Sequence, residues 1–268
     1  MEKYVHGYSR REAVRLMDQA KTLAQLFHFD SIWPVSSKIL EAGCGIGAQT
    51  KIIAPENPDS QFISVDISNE SIKEAQKAIN SLGIKNVIFQ QADIFNLPFE
   101  ENYFDHIFLC FVLEHLPNHM EALQKLKRVL KPGGTIMLIE GDHGSTYFHP
   151  DSAEAMEAVN CLVEMQKQMG GDANIGRRLF PILNDSGFIN VEVSPRMVYV
   201  DDSKPELVEG FTKNTFAAMI EGIGDEAVRK NLISQERMKK GVADLYGCAE
   251  PGGVFCYTFF KGYGTKPE

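Results

Sequence analysis

The residues with the most chemical meaning in this chain stand in one short stretch and at a few points downstream of it. Glu41-Ala-Gly43-Cys-Gly45-Ile-Gly47 sets a carboxylate two residues before the first of three alternating glycines. Glycines remove Cβ atoms, so a ligand can lie against the backbone while the first N–H groups of a following helix face its polar end. A dinucleotide fingerprint is spaced G-x-G-x-x-G, and the pyrophosphate it serves is a poor match for an acid at this position. A carboxylate here suits a ligand that carries positive charge and an amine. Asp66 ends the next apolar run, where a doubly wound fold grips ribose hydroxyls, because one carboxylate accepts from both. His143 and His115 are the candidate proton acceptors, with Asp142 and His149 beside the former; an imidazole of pKa about 6.5 suits that task.

These residues need elements to hold them. Lys38–Ala42 reads as a short apolar strand, residues 43–47 as a sharp turn, and Ala48 to Ala54 as a helix ended by Pro55-Glu-Asn-Pro58. Gln61–Val65 is a second strand, and Ser68 caps a helix that runs to about Leu82 and stops at Gly83. Asn86–Gln90 reads as a third strand and Tyr103–Leu116 as a fourth with the turn after it. A helix over Pro117–Leu130, a turn at Lys131-Pro-Gly-Gly134 and an apolar fifth strand at Thr135–Glu140 follow. Gly141 to Pro150 is expected as a loop at the ligand-binding end of the sheet, its glycines at 141 and 144 bringing His143 inward. Ahead of all this, residues 9–29 repeat Ala13, Leu16, Met17, Ala20, Leu23, Ala24 and Phe27 at helical spacing, with Tyr8, Glu12, Arg15 and Gln19 on the other face.

The glycine turn with its acid, the Ala92-Asp-Ile-Phe-Asn-Leu-Pro-Phe99 segment, Phe104-Asp-His-Ile107 and the Leu130-Lys-Pro-Gly-Gly134 join occur in order between residues 38 and 140. In this the chain resembles the class I family of S-adenosylmethionine (SAM) dependent methyltransferases. The resemblance implies that SAM is the cofactor, with S-adenosylhomocysteine as product. It implies that Glu41, Ala42, Gly43, Cys44, Gly45 and Gln49 line the cofactor at the turn, with Asp66 and Ile67 at the ribose. By the same match Asp93 would hold the adenine amino group beside Ala92, Ile94 would pack on the ring, and Cys110 and Phe111 would offer carbonyls to the methionine amine. His115, in the turn after the fourth strand, would lie beside the methionine portion, and Tyr8 and Arg15 of an N-terminal lid would approach its carboxylate. Asp105, at the start of a strand, lies at the sheet's far end and reads as structural.

The fold implied is α/β, a doubly wound, mostly parallel seven-stranded sheet with helices on both faces. Residues 1–30 would form the helical lid, 31–200 the SAM-binding core, 201–250 a helical cap inserted before the last strand, and 251–268 that last strand. Residues 151–169 and 176–186 read as helices, 189–195 as the sixth strand and 255–260 as the seventh, expected to run antiparallel beside the sixth. The helical insertion reads most simply as a cap over the substrate site, with a dimerisation element, and so a homodimer, as the other reading.

Composition sets the outer bounds. At 268 residues and 44% hydrophobic content the chain can bury a large core. A net charge of −9 argues against a broad phosphate-binding surface, so nucleic acid is not the expected partner. Five cysteines, with no C-x-x-C spacing, read as reduced thiols of a cytoplasmic protein, and no apolar run is long enough to span a bilayer. The function expected is methyl transfer from SAM to a small-molecule acceptor, at oxygen, nitrogen or carbon, by in-line displacement without a metal. The alternatives are a protein or peptide methyltransferase and a SAM-binding protein without transfer activity.

Overall fold

Short, largely apolar runs make the central strands, as a parallel sheet buried on its faces requires. In the computed structural model, which describes residues 10–268 and side chains from Arg15 onward, seven strands are found. They are β1 (Lys38–Ala42), β2 (Gln61–Asp66), β3 (Val87–Gln91), β4 (Phe104–Cys110), β5 (Leu130–His149), β6 (Ile189–Val200) and β7 (Val254–Thr265). Their order across the sheet is β3-β2-β1-β4-β5-β7-β6. The pairs β1/β2, β1/β4, β2/β3 and β4/β5 are parallel, with Glu41 in register with Ser64 on one side and Phe108 on the other. β7 runs against β5: Lys266 exchanges backbone bonds with Gly133 and Gly134, while Thr258 N–H donates to Ser145 Oγ further along β5. β1 lies inside the sheet beside β2 and β4, so the turn that follows it opens where the strand order reverses, the usual ligand position in such sheets.

The helices are α1 (Arg10–His28), α2 (Thr50–Glu56), α3 (Asn69–Ser81), α4 (His119–Val129), α5 (Ala153–Gln168) and α6 (Leu179–Asp185). Between β6 and β7 come α7 (Pro205–Leu207), a wider π-type helix over Val208–Ala217, α8 (Ala218–Gly222), α9 (Gly224–Arg229) and α10 (Gln235–Gly247). Ser68 caps α3 by accepting from Ser71 N–H, as its sequence position suggested. None of the described helices is long and apolar enough to cross a membrane. All five cysteines are free thiols, three of them buried.

Four local expectations are corrected. Pro55 does not end α2 but sits in its last turn, and the helix begins at Thr50 instead of Ala48. Lys131-Pro-Gly-Gly134 is not a separate turn; it lies within β5, paired to the end of β7. Gly141 to His149 is likewise strand and not loop. From Gly144 the burial alternates, Thr146 and Phe148 in, Tyr147 and His149 out, which is the signature of a half-buried strand. Gly141 marks a close approach within that strand: a Cβ there would come 2.5 Å from the Tyr257 hydroxyl. β6 also continues to Val200, beyond the expected end at 195.

The chain forms two compact units that interleave along the sequence. The core unit comprises Ala24–Glu140, Ile175–Pro195 and Phe260–Glu268. Its centre gathers Leu40, Val65, Ile107 and Leu138 from the strands with Leu123 and Leu126 of α4 and Ile182 and Leu183 of α6. Each such side chain contributes roughly 1.5–3 kcal/mol on burial. The insertion unit comprises the described residues up to Leu23 with Gly141–Asn174 and Arg196–Phe259. In it α10 packs along α5, and Gly241 faces the Glu154 carbonyl so closely that no Cβ would fit.

Candidate functional site

In the core unit the glycine turn is held from below by backbone bonds. Gly43 and Cys44 N–H both donate to the Val65 carbonyl, at 2.8 and 2.9 Å, which ties the turn to the end of β2. Gly43 and Gly47 both have φ of +79°, a region L side chains rarely adopt. A Cβ on Gly43 would also meet Val112 Cγ2 at 2.5 Å. At Gly45 a Cβ would meet nothing within 4 Å among the described residues.

Two acids serve this turn. Asp66 Oδ2 accepts from Gly45 N–H and Oδ1 from Ser68 N–H, both at 2.8 Å, so one carboxylate joins the turn after β1 to the turn after β2. Each oxygen keeps further acceptor capacity for a ligand hydroxyl. Burial raises the Asp66 carboxyl against the opposing effect of its backbone donors. Glu41 is buried, and its Oε2 accepts from Ser64 Oγ at 2.6 Å and Thr50 Oγ1 at 2.7 Å. Burial pushes its carboxyl up to about 7 against those two donors, with Asp66 adding to the rise. No hydrogen bond reaches Glu41 Oε1 among the described residues. That is the oxygen an amine or ammonium would meet.

Around these acids the other expected positions fall as follows. Ala42 at the end of β1 and Cys44 in the turn are buried, and Ile67 is 46% exposed beside Asp66. Ala92 N–H bonds to the Asp66 carbonyl, and Ile94 is buried. Asp93 caps the short helix Ile94–Asn96, accepting from Phe95 N–H at 2.9 Å and Asn96 Nδ2 at 3.1 Å, so part of its capacity serves its own loop. Cys110 ends β4 with its thiol pushed well up by burial and by Glu140. Phe111 follows at φ +58°, a left-handed conformation costing about 1–2 kcal/mol for a non-glycine residue. Such strain concentrates at ligand sites. Gln49 is engaged through Oε1 with His28 Nε2 at 2.8 Å. Asp105 accepts from Lys38 N–H and Lys131 Nζ, tying the starts of three elements together as a structural residue.

Sequence reasoning missed Glu140. It is fully buried, and its Oε1 accepts from Val112 and Leu113 N–H at 3.1 and 2.8 Å, which shapes the turn after β4. His115 stands in that turn, 3.4 Å from Glu114 Oε1. Burial and Glu114 hold the Glu140 carboxyl well above the usual range. An acid closing an otherwise apolar strand was the signal available.

The insertion unit holds the other expected catalytic residue. His143 is buried on β5, its Nδ1 2.5 Å from the Tyr257 hydroxyl and its ring edge-on to Phe216 and Tyr257. Phe211, Phe255 and Phe259 continue this aromatic cluster around Tyr257. Asp142 is buried next to His143, whereas His149 is exposed at the strand's end. Tyr257 was not foreseen, because its partner lies 114 positions away. Arg15 is buried in α1 and donates to Gln19 at 3.1 Å. Tyr8 lies outside the described residues. A cavity of 340 Å³ in this unit is lined by Tyr147, Asp151, Ser152 and Met156 among others, and by none of the expected site residues.

Comparison with known proteins gives the same direction. A family model described as a methyltransferase domain matches residues 35–192. A demethylmenaquinone methyltransferase of Anoxybacillus flavithermus is 24% identical over 176 residues, which are 59% of this chain and 73% of that protein. An uncharacterised methyltransferase of Schizosaccharomyces pombe is 34% identical over 125 residues, 44% of this chain and 45% of that one. Several curated relatives are thus matched over only about half their length. Among solved structures, phosphoethanolamine N-methyltransferase 2 of Haemonchus contortus, in complex with phosphomonomethylethanolamine and S-adenosylhomocysteine, superposes with a TM-score of 0.58 at 19% identity. It covers 97% of this chain and 59% of its own.

Proposed function

Given that the chain belongs to the class I family of SAM-dependent methyltransferases, we propose that it transfers a methyl group from SAM to a small-molecule acceptor. The observation that carries this is the Asp66 carboxylate bonded to both Gly45 and Ser68 N–H, beside a turn whose acid, Glu41, keeps one oxygen for a ligand amine. SAM, when bound, supplies an electrophilic methyl on a sulfonium and needs no metal for that. The chain has to orient the acceptor in line with the methyl and exclude water. Asp66 takes the ribose hydroxyls, Glu41 the cationic end, Asp93 and Ile94 the adenine, and the carbonyls of Cys110 and Phe111 the amine. His115 supports the methionine portion. His143 takes the acceptor's proton as general base, with Tyr257 holding its ring by the short bond to Nδ1.

The demethylmenaquinone and phosphoethanolamine enzymes among its relatives act on small molecules by their names, which supports a small-molecule acceptor here. Incubation with methyl-labelled SAM and a fractionated metabolite extract, followed by mass spectrometry, should yield a labelled small molecule. Label recovered only in protein would overturn the acceptor class. With the acceptor in hand, His143→Ala should cut single-turnover transfer at saturating SAM by about 10²-fold and abolish its rise with pH. An unchanged rate and profile would remove the base.

A further inference from the structure

The last strand carries one basic side chain in an apolar run, and it is fully buried: Lys261 of β7 is 0% exposed. Its ammonium donates to the Phe27 carbonyl at 2.9 Å, to Asp30 Oδ1 at 2.5 Å and to Ser31 Oγ at 2.8 Å. An ammonium has three hydrogens and no lone pair, so Ser31 Oγ is the acceptor in that contact. The serine's own hydrogen then has three directions. His28 Nδ1 at 3.0 Å is nearer than the Phe27 carbonyl at 3.5 Å or Met137 Sδ at 3.6 Å. His28 is buried among Phe27 and Phe108, and burial, ahead of its smaller influences, takes its pKa down to about 4, so it is neutral near pH 7. A neutral imidazole that accepts at Nδ1 carries its proton at Nε2. That proton points to Gln49 Oε1 at 2.8 Å.

We propose that Lys261, acting through Ser31 and His28, fixes the polarity of the Gln49 amide, whose NH₂ thereby becomes a standing donor to the methionine carboxylate of the cofactor. Among the described residues Gln49 Nε2 has no hydrogen-bond partner, and α2 takes no side-chain cap from this residue. Its neighbour Thr50 is anchored separately on Glu41. The sheet order gives the location. Asp66 ends β2 on one side of β1, whereas His28 packs on Phe108 of β4 and Phe27 on Phe111 just after it, on the other. A cofactor whose ribose met Asp66 would have the β4 side of β1, where His28 holds Gln49, for its amino-acid end. An acceptor-only carboxylate needs a fixed donor there. Lys261 and His28 are positioning residues that never touch the ligand. This rests on the SAM-binding reading above.

Calorimetry with two probes separates the parts: S-adenosylhomocysteine, and 5′-methylthioadenosine, which keeps the adenosine thioether but lacks the amino acid. Gln49→Glu still accepts from His28 but loses the donor. It should weaken S-adenosylhomocysteine at least about tenfold and leave methylthioadenosine within about twofold. Ser31→Ala, a small change in a folded protein, should weaken S-adenosylhomocysteine about threefold or more and turn the His28 ring, read by ¹⁵N NMR, from the Nε2–H tautomer to a mixture. Equal losses for both probes, an unchanged S-adenosylhomocysteine affinity in Gln49→Glu, or an Nδ1–H tautomer in the native protein would each overturn the proposal. If the native protein binds neither probe, the SAM reading fails instead, and the His28 spectrum alone decides whether the relay exists.

Discussion

The glycine turn of the core unit and the His143 cluster of the insertion unit solve the problem of placing a polar group in opposite ways. At the turn, the backbone is the instrument: Val65 carbonyl, Gly45 and Ser68 N–H and two carboxylates on adjacent strands fix its shape. Its precision comes from φ angles of glycine and from covalent neighbours. At His143 the backbone is ordinary strand, and position comes from side chains brought from far along the chain, Tyr257 by a hydrogen bond and Phe216 by ring packing. Backbone-built sites tolerate few substitutions, because each removes a conformation. Side-chain-built sites lose function by degrees, because neighbours share the load.

Four substitutions test that contrast. Gly43→Ala should be the most damaging, since it combines φ +79° with a Cβ 2.5 Å from Val112 Cγ2. SAM binding by calorimetry should fall by more than about 100-fold and the melting temperature should drop; normal binding would show the turn to be plastic.

Glu41→Gln comes next and is read through pH. The carboxyl sits near 7 in the folded protein against a usual 4.5, so between those values the native state holds a proton the unfolded chain releases. Stability from this group is therefore fully present below 4.5 and lost as pH rises through about 7, on the order of 3 kcal/mol in all. Relative to the Gln variant, the wild-type protein should lose roughly 5–10 °C in melting temperature between pH 4.5 and 8. Parallel curves for the two proteins would mean that Glu41 is already ionised when folded.

Asp66→Ala should weaken SAM by about 1–3 kcal/mol, the range for polar partners left unpaired, and should loosen the turn through Gly45 and Ser68. Calorimetry with unchanged affinity would take Asp66 out of the site. Tyr257→Phe should be the mildest, slowing single-turnover transfer about three- to tenfold with little change in SAM affinity, because the ring stays in its cluster and only the hydroxyl bond to His143 goes. A loss as large as that of Gly43→Ala would erase the distinction between the two regions.

Much of the core unit was legible from the chain itself. Strand β1, the turn, β2 ending at Asp66, the Ser68 cap and the structural role of Asp105 depend on contiguous residues, each with a local chemical reason. The glycines at 141 and 144 misled, since a glycine that makes a turn and one that admits a neighbouring hydroxyl look the same in sequence. Long-range pairs left almost no trace. Lys261 and His28 are separated by most of the chain, and their shared partner Ser31 has no feature that marks it.

The order of types along this chain was thus sufficient for the α/β class, the glycine turn and the place of the two acids beside it, because φ > 0, capping and apolar periodicity act over a few neighbouring residues. Only the tertiary structure decided that β5 runs on to His149, that Tyr257 meets His143, and that a buried lysine reaches Ser31 beside His28. Those outcomes turn on which distant side chains share a desolvated space, where an unpaired donor or acceptor costs too much to persist.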